Sequence, residues 1–239
     1  MGQKLKQLKH SFILHKLWKR WIRQRMFDYG AYMRFPPYPA KSHELVTSTR
    51  DPVRYTTIAL AIHSLVKAAV PGGFAEVGVY RGDTSRILHA LAPDRLLYLF
   101  DTFEGFPAHE TDEPDSRFRN TSLEILRQTL GDVSNVVIRK GYFPDTAKGL
   151  ETERFAFVLL DVDKYQPTLA GLQFFYPRLS DAGYLMVHDY NSPESNGAVS
   201  NAVDEFMVGK PEPLVQVADS GGSVLFRKLR ASVTAPAAE

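Results

Sequence analysis

From Pro71 onward, short continuous apolar runs alternate with stretches in which apolar residues recur every three or four positions. Runs of the first kind read as buried strands, and those of the second as amphipathic helices. The pattern predicts strands over Phe74–Val79, Leu96–Asp101, Asn135–Lys140, Arg154–Asp161 and Gly183–His188. Helices are expected over Thr84–Leu91, Ser122–Leu130, Leu169–Leu179 and Ala198–Val208. Leu214–Ala218 and Ser223–Lys228 then form a hairpin across Ser220-Gly221-Gly222. Upstream, Asp51 caps a helix that starts at Pro52 and runs to about Ala69, with Ile58, Ala61, Ile62, Leu65 and Val66 on one face. Strands alternating with helices and closed by a hairpin predict an α/β fold. Its core is a doubly wound, mostly parallel seven-stranded sheet with an antiparallel C-terminal hairpin.

Before residue 48 the pattern changes. Leu5, Leu8, Phe12, Leu17, Trp18 and Trp21 recur at helical spacing among Lys4, Lys6, Lys9, Lys16, Lys19, Arg20, Arg23 and Arg25. Phe35-Pro-Pro-Tyr-Pro39 breaks that helix. The organisation expected is a basic amphipathic extension over 1–47, a catalytic-looking domain over 48–230 and a frayed tail over 231–239. Charge divides the same way. The overall balance is +2, but residues 1–34 hold nine Lys or Arg and one acid, leaving 20 basic and 26 acidic residues in the remainder. An acidic body argues against nucleic acid as partner. The basic helix suits packing on its own domain, an arm onto a second subunit in a homo-oligomer, or peripheral membrane contact through residues 4–26. The chain contains no cysteine, which excludes disulfides, thiolate metal sites and a cysteine nucleophile. Without a membrane-length apolar run or the pattern of a signal peptide, the expected location is the cytoplasm.

The chemistry gathers at the predicted strand ends. The first strand ends in Glu76-Val-Gly78-Val-Tyr80-Arg-Gly82, and the second ends on Asp101-Thr102. A glycine turn after one strand and an acid at the tip of the next is how a doubly wound sheet holds a nucleoside, the acid accepting from the ribose hydroxyls. The dinucleotide fingerprint has glycine where this chain has Glu76. A carboxylate there repels a pyrophosphate but suits an ammonium group, so the pattern favours S-adenosylmethionine over NAD or ATP. Gly141 and Tyr142, at the tip of the third strand, and Tyr80 and Thr102 complete the expected cofactor contacts. Ligands in such sheets lie over the carboxyl ends of the strands.

Strands four and five end in Asp161-Val-Asp163 and His188-Asp189-Tyr190. Carboxylates clustered on adjacent tips repel one another unless a cation neutralises them. Hard oxygen donors without cysteine point to Mg²⁺, or Mn²⁺ if His188 joins Asp161 and Asp189 as a ligand. The plainer alternative is that these acids only cap strand ends. A cation beside a methyl donor would chelate a diol-like acceptor and acidify its hydroxyl, with His109 or Asp161 as the candidate base. Asp161 and Asp163 also make a D-x-D pair, which keeps a metal-dependent glycosyltransferase as an alternative. A non-catalytic cofactor-binding module is another.

Over Ser48–Lys228 the chain resembles the macrocin O-methyltransferase family of metal-dependent sugar O-methyltransferases. The resemblance rests on EVGVYRG (Glu76–Gly82), FDTFEGFP (Phe100–Pro107), KGYFPDT (Lys140–Thr146), DVDKYQPT (Asp161–Thr168), FYPRLSDAG (Phe175–Gly183) and the HDY run at His188–Tyr190. It implies a class I, Rossmann-like methyltransferase fold, S-adenosylmethionine, a divalent metal and a small sugar-containing acceptor. By position, Glu76, Gly78 and Asp101 would hold the cofactor, and Asp161 with Asp189 the metal. Two residues depart from the family pattern. His188 stands where a third aspartate is usual, and Lys164 where an apolar residue is common. The basic extension lies outside the resemblance. Deleting residues 1–30 is therefore expected to leave cofactor binding intact while changing oligomeric size or membrane distribution, as checked by calorimetry, sedimentation and vesicle flotation.

Overall fold

The computed structural model describes Val46 and residues 49–107 and 117–230. The chain divides into two compact units, Met1–Pro39 and Ala40–Glu239, and the described residues all belong to the second. The basic helix expected over 4–26, His109 and the tail 231–239 lie outside the described residues.

Helix α1 (Pro52–Lys67) leads into β1 (Gly73–Val77), α2 (Asp83–Leu91), β2 (Leu97–Asp101), α3 (Leu123–Leu130) and β3 (Val136–Lys140). There follow β4 (Phe155–Leu160), α4 (Tyr165–Phe175), β5 (Leu179–Val187), α5 (Ala198–Met207), β6 (Val215–Gln216) and β7 (Val224–Arg227). The strands form one seven-stranded sheet in the order β3-β2-β1-β4-β5-β7-β6. All pairings from β3 across to β5 are parallel, whereas β7 runs antiparallel to both β5 and β6.

The order explains the burial. β4 lies at the centre with helices on both faces, and each of its residues Phe155–Leu160 is fully buried. An apolar run without alternation is the expected signature of such a strand. On one face Ile58, Ile62 and Leu65 of α1, Leu88 of α2 and Leu126 of α3 pack on Phe74, Leu99, Phe157 and Met186. On the other, Leu172 and Phe175 of α4 and Val199 and Val203 of α5 pack on Phe100, Val158, Leu160 and Leu185. Phe175 is the hub of this second face: its ring stacks on Phe143 at 5.7 Å and meets Phe155 edge-on at 5.0 Å and Phe100 at 6.0 Å. It thereby ties α4 to the segment just after Gly141 and Tyr142.

Two boundaries differ from the sequence pattern. The helix expected over Leu169–Leu179 starts at Tyr165 and gives way to a 3-10 turn at Tyr176–Arg178. Pro167 falls in the first turn, where its missing N–H costs nothing, and the Thr168 hydroxyl donates to the Lys164 carbonyl at 2.7 Å. β5 begins at Leu179 rather than Gly183, because the Ser180–Ala182 stretch continues the strand through an irregularity opposite Phe155–Phe157. Ala182, at φ 65°, absorbs that bulge. Replacing Phe175 by Ala is expected to cost about 3–5 kcal/mol of stability, as read from urea unfolding, since it removes the ring that four others surround.

Candidate active site

A cavity of about 340 Å³ opens over the carboxyl ends of the strands. Its walls include Glu76, Gly78, Tyr80, Asp101, Thr102, Gly141 and Tyr142 on one side, with Asp161, Asp163, His188 and Asp189 on the other. The residues expected to meet the cofactor and those expected to hold a metal therefore share one chamber. Arg54 and Tyr55 from the first turn of α1 also line it.

The strand tips are fixed by ladder bonds that continue past the strand ends. Gly78 N–H donates to the Phe100 carbonyl (2.9 Å), Asp161 N–H to Val77 (2.8 Å), His188 N–H to Leu160 (2.9 Å) and Gly141 N–H to Asp101 (2.9 Å). Beyond them the backbone turns sharply. Tyr80, Phe103, Asp163 and Asp189 all have φ between 53° and 59°, left-handed backbone at side-chain-bearing residues. Such conformations cost free energy and concentrate at binding sites. Gly78 has φ 88°, and a Cβ there would lie 1.9 Å from the Asp161 carbonyl oxygen. Only glycine lets the β1 loop approach β4 this closely.

Asp101 organises the β1 side of the cavity. Its Oδ2 accepts the N–H groups of Val79 and Tyr80, each at 2.8 Å, and its Oδ1 accepts that of Phe103 at 2.6 Å. The carboxylate expected to meet a ribose thus also pins the β1 turn to the tip of β2. Glu76 is buried beneath the turn, and its Oε2 accepts from the Ser85 hydroxyl at 2.5 Å, anchoring α2. Burial pushes the Glu76 carboxyl up to about 8, and the Asp161 and Asp101 charges add to this against the Ser85 hydrogen bond and Arg54.

The opposite side is a cluster of mixed charge. Ligand atoms of Asp161, His188 and Asp189 lie within 4.8 Å of one another. His188 Nδ1 is 3.0 Å from both Asp161 Oδ1 and Asp189 Oδ2. It makes no directed hydrogen bond to either, and the buried Nε2 also has no partner. Arg54 Nη2 donates to Asp161 Oδ2 at 2.6 Å. Burial alone would raise the Asp161 carboxyl, but the Arg54 charge and then His188 overcome it and hold the group well below the usual carboxylate range. Asp163 shows the reverse. Desolvation first, then hydrogen bonding to Asp189 and the Asp161 charge, push it up to about 8, so at neutral pH it keeps its proton. His188 is pushed up to about 10, the neighbouring carboxylates outweighing its burial.

The structure brings Asp161, His188 and Asp189 into one cluster. Sequence reasoning passed over Arg54, which the N-cap signal placed in a first turn without indicating that it reaches the tip of β4. Among the lining residues, Lys164 Nζ sits 4.5 Å from the Phe106 ring centroid, and Phe106 meets Phe118 edge-on at 5.4 Å. The residue that departs from the family pattern therefore lines the same cavity.

A seven-stranded sheet of this order with β7 alone reversed, and a ligand chamber over its carboxyl edge, defines a class I S-adenosylmethionine-dependent methyltransferase fold. The family model for macrocin O-methyltransferase (TylF) matches residues 38–228, and the chain belongs to that family of O-methyltransferases. Among curated relatives, an 8-demethyl-8-(2,3-dimethoxy-alpha-L-rhamnosyl)-tetracenomycin-C 4'-O-methyltransferase from Streptomyces olivaceus is 28% identical over 215 residues, covering 82% of this chain and 79% of the relative. Mycinamicin III 3''-O-methyltransferase from Micromonospora griseorubida is 26% identical over 205 residues, covering 77% and 78%. Among solved structures, the O-methyltransferase NovP superposes with a TM-score of 0.65 at 24% identity, over 75% of this chain and 81% of NovP. Membership in a methyltransferase family removes the support for a D-x-D glycosyltransferase at Asp161 and Asp163.

The buried Glu76 makes stability depend on pH. Between its ordinary value of 4.5 and its folded value of about 8, the unfolded chain releases a proton that the native protein keeps, so native stability falls across that window. Glu76→Gln carries no such proton. Its stability relative to wild type should rise by more than about 1 kcal/mol from about pH 5 to about pH 8.5, as measured by urea unfolding.

Proposed function

We propose that this protein transfers the methyl group of S-adenosylmethionine to a hydroxyl of a small sugar-bearing acceptor, with a divalent cation held by Asp161, His188 and Asp189. The observation that carries the reading is the position of this cluster, in one chamber with the Gly78 turn and Asp101. The sugar class draws on the rhamnosyl compound named for the Streptomyces olivaceus relative.

The donor set fits an ion. A ring nitrogen and two carboxylate oxygens converge, with Nδ1 3.0 Å from Asp161 and Asp189, where an ion would take the place of the ring proton, and Nε2 is buried without a hydrogen-bond partner. Two oxygens and one imidazole suit Mg²⁺ or Mn²⁺, and the nitrogen moves the preference toward Mn²⁺. When bound, a divalent cation supplies positive charge that lowers the pKa of an acceptor hydroxyl.

The chain's own groups carry the remaining work. Asp101 and the turn it pins would seat the ribose, with Thr102, Gly141 and Tyr142 along the adjoining wall. The second oxygen of Asp161 is held by Arg54, which leaves Oδ1 facing the cluster. On this reading Asp161 is the base among the described residues by position, while the Arg54 charge that lowers its proton affinity works against that role. His109 is the base proposed from outside them.

Three measurements test the reading. Asp101→Ala should weaken S-adenosylhomocysteine binding by about 10- to 150-fold in calorimetry, the loss of a charge-assisted acceptor. EDTA should stop transfer of labelled methyl to a rhamnosyl glycoside while leaving S-adenosylhomocysteine bound, and added Mg²⁺ or Mn²⁺ should restore it. His188→Asp should shift the preferred ion toward Mg²⁺. Full turnover by enzyme shown metal-free by elemental analysis would overturn the metal assignment and return Asp161 and Asp189 to strand capping.

A further inference from the structure

Metal-binding histidines usually have their ring fixed by a hydrogen bond from the nitrogen that does not face the ion. His188 lacks one: Nδ1 faces Asp161 and Asp189, and Nε2 is buried without a partner. The carboxylates of Asp51 and Asp219 also come within 4.8 Å of His188, but both are engaged elsewhere. Asp219 accepts from Ser223 N–H and hydroxyl at 2.7 and 2.6 Å, which shapes the β6–β7 turn. Asp51 accepts from Arg54 N–H on Oδ1 at 3.2 Å, and on Oδ2 from Ser220 N–H and hydroxyl at 3.0 and 2.7 Å.

Gly221, in that same turn, supplies what the missing hydrogen bond would have. It is buried against the ring. A Cβ placed on it would stand 2.6 Å from His188 Nε2, 2.6 Å from Cε1 and 2.4 Å from Asp189 Oδ1. The backbone of Gly221 thus blocks the ring from swinging away from Asp161. On the other side of the cluster, Arg54 holds Asp161 by its second oxygen. Both contacts depend on Asp51, which caps the helix carrying Arg54 and ties down the turn carrying Gly221.

We propose that Asp51 is a positioning residue: with Arg54 on one arm and Ser220-Gly221 on the other, it forms a brace that fixes Asp161, His188 and Asp189 in register. The brace spans residues 169 positions apart, from the start of α1 to the last hairpin. It takes the place of hydrogen-bonded ring orientation by steric confinement. Its consequence for turnover rests on the O-methyltransferase reading above, whereas its effect on the His188 ring does not.

Asp51→Asn separates this role from helix capping. Asparagine caps a helix as well as aspartate does. Its amide cannot accept from both Arg54 N–H and the two Ser220 donors, because one of its two positions is now a donor itself. The full chain is labelled with ¹⁵N-histidine, kept metal-free, and the His188 ring signals are assigned by their loss in His188→Asn. In Asp51→Asn these signals are expected to shift or broaden, with the melting temperature unchanged and S-adenosylhomocysteine affinity within about twofold of wild type. Methyl-transfer kcat should fall at least about tenfold, since misplacement on the scale of an ångström costs up to about a hundredfold. Ser220→Ala, which removes only the hydroxyl bond, should move both readouts in the same direction by less. Gly221→Ala should move them furthest, and Ser220→Ala keeps the test decisive should that variant fail to fold. Wild-type ring signals and kcat in both Asp51→Asn and Ser220→Ala would overturn the brace. A native protein that methylates no sugar acceptor would instead count against the function proposed above, and the ring signals would still decide the brace.

Discussion

The site depends on one close approach, that of Gly78 at the end of β1 to the carbonyl of Asp161 at the end of β4. No side chain fits between them. Because these are the central strands, the Gly78 turn and Asp161 share a single rigid junction. The ladder bonds that extend past β1, β4 and β5 hold that junction in line with Phe100 on one flank and His188 on the other. The buried core below, with β4 fully enclosed, supplies the stiffness.

Charge is balanced around this junction by the protein itself. Three aspartates converge on two strand tips, a concentration that low-dielectric surroundings would make costly. Arg54 offsets one, the His188 ring faces two, and Asp163 avoids ionising by keeping its proton beside Asp189. The same arrangement leaves Asp161 Oδ1 directed at the cluster with weak proton affinity, and it leaves Glu76 reluctant to ionise under the β1 turn. Arg54, in the first turn of α1, lines the same cavity and pairs with Asp161.

Another part of the lining has a different character. Lys164 and the Phe106–Phe118 pair form a cationic and aromatic wall, and Tyr80 extends it through an edge-on contact of 5.3 Å with Phe118. Those aromatic residues come from the segments after β1 and β2 and from just before α3, and Lys164 from the cap of α4. That wall is therefore assembled from loops, while the charged cluster sits on strand tips.

The sequence by itself determined the strand order's raw material and the residues at the strand tips. Continuous apolar runs report burial on both faces without reference to partners, and an acid or glycine that ends such a run must sit at its carboxyl edge. Glu76, Gly78, Asp101, Asp161, His188 and Asp189 were legible for that reason. The start of α4 was not, because Pro167 reads locally as a break although a first turn accepts it. Nor was the early start of β5, where a bulge at Ala182 is stabilised by pairing with β4. Only the tertiary structure decided what fixes these residues in relation to one another. Arg54 meets Asp161 across 107 positions, and Asp51 meets Ser220 across 169. No periodicity or local propensity records a contact between side chains so far apart along the chain, since it exists only once the sheet has brought α1 and the last hairpin to the same edge.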